Sequence, residues 1–504
     1  MEITLPKLTL DIRSASTCGV LVTLLAFLLT AGTVTAQVPL TQISNDTFTN
    51  TTSQHETEVE PASYSFGATI VTTFQVGRFT DGGGSDIGFA TSTDHGTTWT
   101  HGNLPGITKL EGTGNYDRAS DTSVTYNTKF KTWLVETLAL SEAGGAHGQA
   151  ILINSSKDGI TWNMPTTVSV AERNGFYDKP WIGCDNTATS PFYGNCYVEW
   201  DDFSLGDQFE MSTSTDGGAT WSTKKTTAGT PFGTGGIPLV QPNGTVIVAA
   251  DDEFAASVQA FRSTDGGNSW TAPTFITSIS EHGVAGGMRA VPLVGAAIDA
   301  AGKVYIVWAD CRFRKNCASN DIVMTSSSDG VTWSAVARVP IDPVGSTVDH
   351  FTPGFSIAPG TSGSTARLAL TYNFLPKTNC GSVCNVGVGY IESTNGGSTW
   401  GTPKVLAKGM NTNWLPSTTS GQMLGDYQTS VYSGPRVHGI FAAAFSPVGS
   451  TLNEPIDTNS MGLTAADDAF EPQFSSANDK PVPNAHSDVP KRTKPHRDDG
   501  EDER

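Results

Sequence analysis

Short apolar runs recur along this chain, each bounded by clusters of Gly, Asp, Ser and Thr. Six of them are Ile70–Val76, Trp133–Leu140, Cys196–Trp200, Val246–Ala250, Val304–Trp308 and Leu368–Tyr372. They are too short for buried helices and are rich in β-branched and aromatic residues, so they predict buried strands. Less apolar segments flank each run on both sides. The repeating unit this predicts is a four-stranded sheet whose second strand is the most apolar.

An octapeptide punctuates the units: Ser-x-Asp-x-Gly-x-Thr-Trp. It stands as Ser92–Trp99, recurs as Ser214–Trp221 and Ser263–Trp270, and has an Asn variant at Ser393–Trp400. Two copies are one residue shorter, Ser156–Trp162 and Ser327–Trp333. The tryptophans lie 63, 59, 49, 63 and 67 residues apart, a spacing that fits one sheet per copy. Ser, Asp and Thr side chains satisfy turn amides, Gly supplies a positive φ, and Trp opens the next strand with a large apolar surface.

The octapeptide is similar to the Asp box, or bacterial neuraminidase repeat, and from about residue 40 to 460 the chain resembles the sialidase-like Asp-box superfamily. The resemblance implies an all-β propeller, with each box joining the third and fourth strands of a blade on the face opposite the ligand site. A seventh unit starts at Gly425-Asp426-Tyr427 and runs through Val437–Phe445 without a box or an outer strand of its own. Pro39–Ser44 reads as a strand without a sheet. The expectation is therefore seven four-stranded blades, the N-terminal strand completing the last and removing an exposed edge. A six-bladed sialidase ring is the alternative.

The ends differ in kind. Lys7 and Arg13 precede an apolar run from Gly19 to Leu29 and the small-residue pattern Val34-Thr35-Ala36, so residues 1–36 read as a cleaved secretory signal. Residues 37–460 form the propeller, and 461–504, Pro-rich and densely charged towards the end, read as a disordered tail. A secreted, extracellular, monomeric protein without membrane insertion follows as the expectation. The net charge of −19 argues against nucleic acid. After a signal, the close pairs Cys184/Cys196, Cys311/Cys317 and Cys380/Cys384 predict local disulfides; metal binding is the weaker alternative because no histidines stand at ligand spacing.

The resemblance places ligands over the central channel, at the loops entering each innermost strand and those joining second to third strands. These points carry Glu58-Val59-Glu60-Pro61, Tyr116-Asp117-Arg118, Tyr177-Asp178-Lys179-Pro180-Trp181, Gly287-Met288-Arg289, Asp349-His350-Phe351 and Asp426-Tyr427. The fourth unit offers only Gly235-Gly236-Ile237-Pro238. Carboxylates, cations and aromatics facing one axis suit a sugar site, so a carbohydrate or glycoconjugate is the expected partner. The resemblance implies a retaining exo-α-sialidase-type glycoside hydrolase acting on terminal sugars. Asp81, with Asp86 in reserve, is then the acid, and Tyr427 the nucleophile, assisted by a carboxylate such as Asp426. Glu253 and Glu281 are other candidates for that assistance. Arg78, Arg118, Asp178, Lys179, Arg289, Arg312 and His350 are the candidate substrate-binding residues. Val59 stands where a sialidase carries its first carboxylate-binding arginine, which weakens sialic acid as the substrate. A non-catalytic propeller that binds glycan or protein is the competing reading. No cofactor or metal is expected, although Asp201, Asp202, Asp251 and Asp252 are hard oxygen donors of the kind calcium takes.

Overall fold

A computed structural model describes residues 38–464, apart from 144, 230–231 and 253–255, together with 480–481. The expected signal peptide and most of the charged tail lie outside the described residues, as does Glu253. The chain is built from antiparallel four-stranded sheets of the β-propeller type. The first is Gln54–Phe66, Thr69–Arg78, Gly84–Ser92 and Thr100–Asn103; the second is Arg118–Asn127, Thr132–Ser141, His147–Ser156 and Thr166–Val170. A single pairing, Gly84 with Ala119, joins these two. Four further sheets follow with innermost strands Tyr177–Cys184, Thr234–Val240, Gly295–Ile298 and Asp349–Ile357. The last sheet takes Thr429–Ser433, Arg436–Ala442 and Ile456–Asn459, and adds Leu40–Gln42 from the other end of the described chain. Each innermost strand adjoins the next, and Thr429–Ser433 lies against Gln54–Phe66.

All six expected second strands are present and almost wholly buried. The expected N-terminal strand pairs antiparallel with Ile456–Asn459, Leu40 opposite Asn459 and Gln42 opposite Asp457.

Every octapeptide begins on the last residue of a third strand and leads to the fourth. At Ser92–Trp99 the Ser92 hydroxyl accepts from the Gly96 amide at 2.8 Å, and Asp94 Oδ1 accepts from the Thr97 and Thr98 amides at 3.0 and 2.8 Å. Gly96 has φ 82°, and a Cβ there would strike the His438 ring, so glycine is required twice over. The tryptophans divide: Trp162, Trp270 and Trp400 are buried, whereas Trp99, Trp221 and Trp333 are half-buried. The three expected disulfides, Cys184–Cys196, Cys311–Cys317 and Cys380–Cys384, are present. Among the described residues no helix is long and apolar enough to cross a membrane.

Candidate functional site

Five innermost strands carry the same irregularity. Their ladders shift register at Val59/Ala62, Ser120/Thr122, Asp178/Trp181, Thr234/Ile237 and Phe351/Gly354. Each bulge holds a residue with positive φ: Glu60 (58°), Asp121 (22°), Lys179 (46°), Gly235 (65°) and Thr352 (46°). Left-handed backbone is uncommon for non-glycine residues and strained for a β-branched one, and such strain gathers at functional sites. A bulge re-aims the side chain it carries. Here it brings Glu60, Asp121 and Lys179 together near Asp426 and Tyr427 from the last unit.

The polar groups form one buried network. Lys179 Nζ lies 3.0 Å from Asp121 and 3.2 Å from Asp426. Arg289 grips Asp426 with two bonds, 2.8 and 2.5 Å. Glu60 accepts from the Asp426 amide at 3.1 Å and from the Gln75 side chain. The hydroxyl of Tyr427 accepts from the Thr122 amide at 2.9 Å. Asp121, Lys179 and Tyr427 then line a cavity whose other wall is apolar, with Trp181, Ile237 and Phe355. Trp181 stands edge-on to Tyr427, ring centres 5.4 Å apart.

The electrostatics set two neighbouring carboxyls apart. Burial, then the charge of Asp121, raises Glu60 to about 8 against the pull of Lys179 and Arg289, so it holds a proton at neutral pH. Asp426 is equally buried, yet Arg289 and Lys179 outweigh burial and keep it well below the usual carboxylate range. Burial opposes the charge on Lys179, but Asp121, Asp178, Asp426 and Glu60 hold its ammonium well above the ordinary value. Burial, then the charges of Glu60 and Asp121, push the Tyr427 hydroxyl well up, so it holds its proton at neutral pH and is a poor nucleophile.

The other expected residues are placed differently. Asp81 is half-exposed and bound to Arg118 at 2.6 Å; burial opposes its charge, but Arg118 lowers its pKa, the wrong direction for a general acid. Arg118 also binds Glu142 at 2.7 Å and stacks on Phe79. Arg312 closes on Asp310 of its own loop at 2.7 Å. Arg78 is buried, donating to the Gly83 carbonyl at 2.8 Å and lying on the Met423 sulfur. Asp178 is buried and accepts from the Lys179 amide at 2.8 Å. His350 is buried against Tyr372 and the Asn320 carbonyl, away from solvent, and burial lowers its pKa. Asp86 is fully buried, and burial raises its carboxyl well up.

Two of the hard-oxygen donors have local roles. Asp202 caps the 3-10 helix Phe203–Leu205, and Asp201 accepts from Thr234 at 2.9 Å. Asp321, Asp342 and His350 lie close enough to share an ion, but Arg314 and Arg338 already neutralise the two carboxylates, at 2.5–2.8 Å.

Comparison with known proteins finds only distant likenesses. No family model matches the chain, and no curated protein matches it. Among solved structures, an ulvan lyase of polysaccharide lyase family PL25 is 12% identical, with 83% of this chain and 95% of that chain covered at a TM-score of 0.48. The NanB sialidase of Streptococcus pneumoniae is 12% identical over 85% of this chain and 71% of that one, TM-score 0.42. A protein of unknown function from Dyadobacter fermentans is 16% identical over 71% and 99%, TM-score 0.45. Likenesses this distant carry no argument about activity.

Proposed function

We propose that this is a secreted, carbohydrate-active Asp-box propeller of seven blades, closed by its N-terminal strand, and that it is a glycoside hydrolase acting on a terminal sugar of extracellular glycans. The observation that carries this reading is a cavity lined by the left-handed bulge residues Asp121 and Lys179 with Tyr427 and Trp181, backed by the buried Asp426 and Glu60. Strained backbone, a protonated carboxyl beside an ionised one and an aromatic wall together suit a sugar site with acid–base capacity. Asp81 and Asp426 are both committed to arginines, so the acid–base role passes to Glu60, whose charge acts on Tyr427 at the cavity wall.

An uncharged sugar fits this site better than sialic acid. Arg118, Arg289, Arg312 and Lys179 each already face a carboxylate. An incoming anion would have to displace those partners, and Val59 is buried rather than offering a charge. The test is hydrolysis of a panel of aryl glycosides, neutral hexosides and the sialoside, by wild type, Tyr427→Phe and Glu60→Gln. We expect turnover of a neutral glycoside, at least tenfold lower in both variants. Cleavage unaffected by both substitutions refutes the site. Calorimetric binding of a sugar without turnover of any substrate establishes the competing glycan-binding reading, which the high pKa of Tyr427 and the Asp81–Arg118 pair favour.

A further inference from the structure

The third and fourth units enclose a groove at the strand ends away from the channel. In the third unit the register sets Tyr177 opposite Asp202 and Asp202 opposite Gln208 at one end. At the other it sets Cys184 opposite Cys196 and Cys196 opposite Ser214. Lys179 stands near the first end, and the octapeptide Ser214–Trp221 begins at the second, about 20 Å along the strand. The groove lies between this octapeptide and the next, Ser263–Trp270, and encloses about 340 Å³, within the range of small-ligand sites (~300–1,000 Å³).

Two aromatic side chains in its lining are fixed in place. Trp221 packs on the core of the second and third sheets and, half-buried, turns its remaining surface to the groove. Phe192 comes from loop 185–195, whose neck is closed by the Cys184–Cys196 disulfide. Inside that loop Asp185 accepts from the Thr187 amide at 3.1 Å and from the Ser190 hydroxyl, and the Gly194 amide donates to the Asp185 carbonyl at 2.9 Å. The Phe192 ring rests on Gly244 and Gly266, where a Cβ would come within 2.8 and 2.7 Å of it. Loops held this firmly present a binding surface at little ordering cost.

The rest of the lining is mainly hydroxyl and amide, with Thr213, Thr215, Asn195 and Asn268 contributing. Thr213 Oγ1 and Trp221 Nε1 have no hydrogen-bond partner. A Cβ on Gly267, itself in the lining, would strike Thr213 Oγ1, which places that hydroxyl at the groove floor. Among the described lining residues only Asp265 and Lys225 are charged. Asp265 is used within its own turn, Oδ1 accepting from the Ser269 amide at 3.0 Å and Oδ2 from the Ser269 hydroxyl at 2.6 Å. One exposed lysine does not make the basic track a polyanion needs. Aromatic surfaces for the C–H faces of sugar rings, beside groups that both donate to and accept from hydroxyls, suit an uncharged sugar chain.

We propose that this groove is a second glycan site, binding a neutral oligosaccharide segment and anchoring the protein from the end opposite the channel. It would bind whether or not the channel cleaves. The Cys184–Cys196 disulfide then has a functional part, since it holds the loop that carries Phe192 and Asn195.

The test titrates the full-length mature protein by calorimetry with cello-, xylo-, manno- and chitohexaose, using wild type, Trp221→Ala, Thr215→Trp and Tyr427→Phe. Thr215 is exposed and its hydroxyl has no hydrogen bond among the described residues, so Thr215→Trp fills the groove without breaking one. We expect at least one hexasaccharide to bind, one per chain, at least tenfold more weakly in Trp221→Ala and Thr215→Trp and equally well in Tyr427→Phe. Hydrogen exchange should slow in residues 192–195, 213–222 and 265–268. The proposal fails if no hexasaccharide binds at 10 mM, if Thr215→Trp binds like wild type, or if protection falls elsewhere. Binding lost in Tyr427→Phe but kept in both groove variants also overturns it; the sugar then sits in the channel, which supports the reading of that site instead.

Discussion

Replacing Lys179 with methionine tests whether the channel network is held by its charges. The ammonium sits about 3 Å from two carboxylates that are 1–2% exposed, while its own side chain is 10% exposed. At that distance and an effective dielectric of about 20, each attraction amounts to about 5 kcal/mol before desolvation is subtracted. Methionine keeps most of the volume and removes the charge. Asp426 retains the two bonds from Arg289, so the carboxylate left without its cation is Asp121, which keeps a 3.0 Å bond from Ser120. Removing one partner of a buried pair costs about 3–5 kcal/mol, and that is the expected loss in urea unfolding at pH 7. Lys179→Met with Asp121→Asn should recover at least half of it, because no uncompensated charge then remains. A loss under about 1 kcal/mol, or a double variant no better than the single one, would mean that the network is solvated and that its convergence is not enforced by charge.

Two further expectations concern stability. Trp400, 1% exposed, should cost about 3–5 kcal/mol as alanine, while half-buried Trp333 should cost at least 1 kcal/mol less; thermal melts giving equal losses would show that box position rather than burial sets the cost. The pH dependence has two limbs. Glu60 and Asp457 have folded pKa values raised to about 8 and about 7, so the unfolded chain releases their protons first and stability is lost as pH rises from about 4 to 8, by at most about 1.4 kcal/mol per unit for each group. Asp158 and Asp329, held at about 2 by backbone amides, stabilise above their unfolded value and lose that contribution as pH falls through 2. Urea midpoints should therefore peak near pH 4–5, and a maximum at or above pH 8 would contradict the burial of Glu60 and Asp457.

The sheets were legible because two strong local signals agree. A run such as Val304–Trp308 can only be a buried strand, and the octapeptide fixes where a third strand ends, since its serine occupies the last strand residue in all six copies. The pairing of the N-terminal strand with the last sheet was legible for a complementary reason: the last unit lacked an outer strand, and Leu40–Gln42 lacked a sheet. The site was only partly legible. Loop order brings Lys179, Asp426 and Tyr427 to attention, but Glu60 figures there only as a neighbour of Val59 and Asp121 is not singled out. Their importance depends on bulges that turn non-glycine residues left-handed, and Ser120-Asp121-Thr122 gives no sign of one. Arginine pairing was equally hidden, because Arg118 and Asp81 lie 37 residues apart and meet only through adjoining units.

The same geometry explains why two glutamates two residues apart serve different ends. Glu58 and Glu60 would share a face of a regular strand. The register shift after Val59 and the left-handed φ of Glu60 break that alternation. Glu60 then meets Gln75 and Asp426, whereas Glu58 joins the segment of Glu454, to whose carbonyl its amide donates. The two glutamates are thereby divided between separate buried surroundings. Neither assignment follows from glutamate at these positions alone. Both follow from one bulge, which is why Pro61 and its neighbours should tolerate change less well than their place on an innermost strand would suggest.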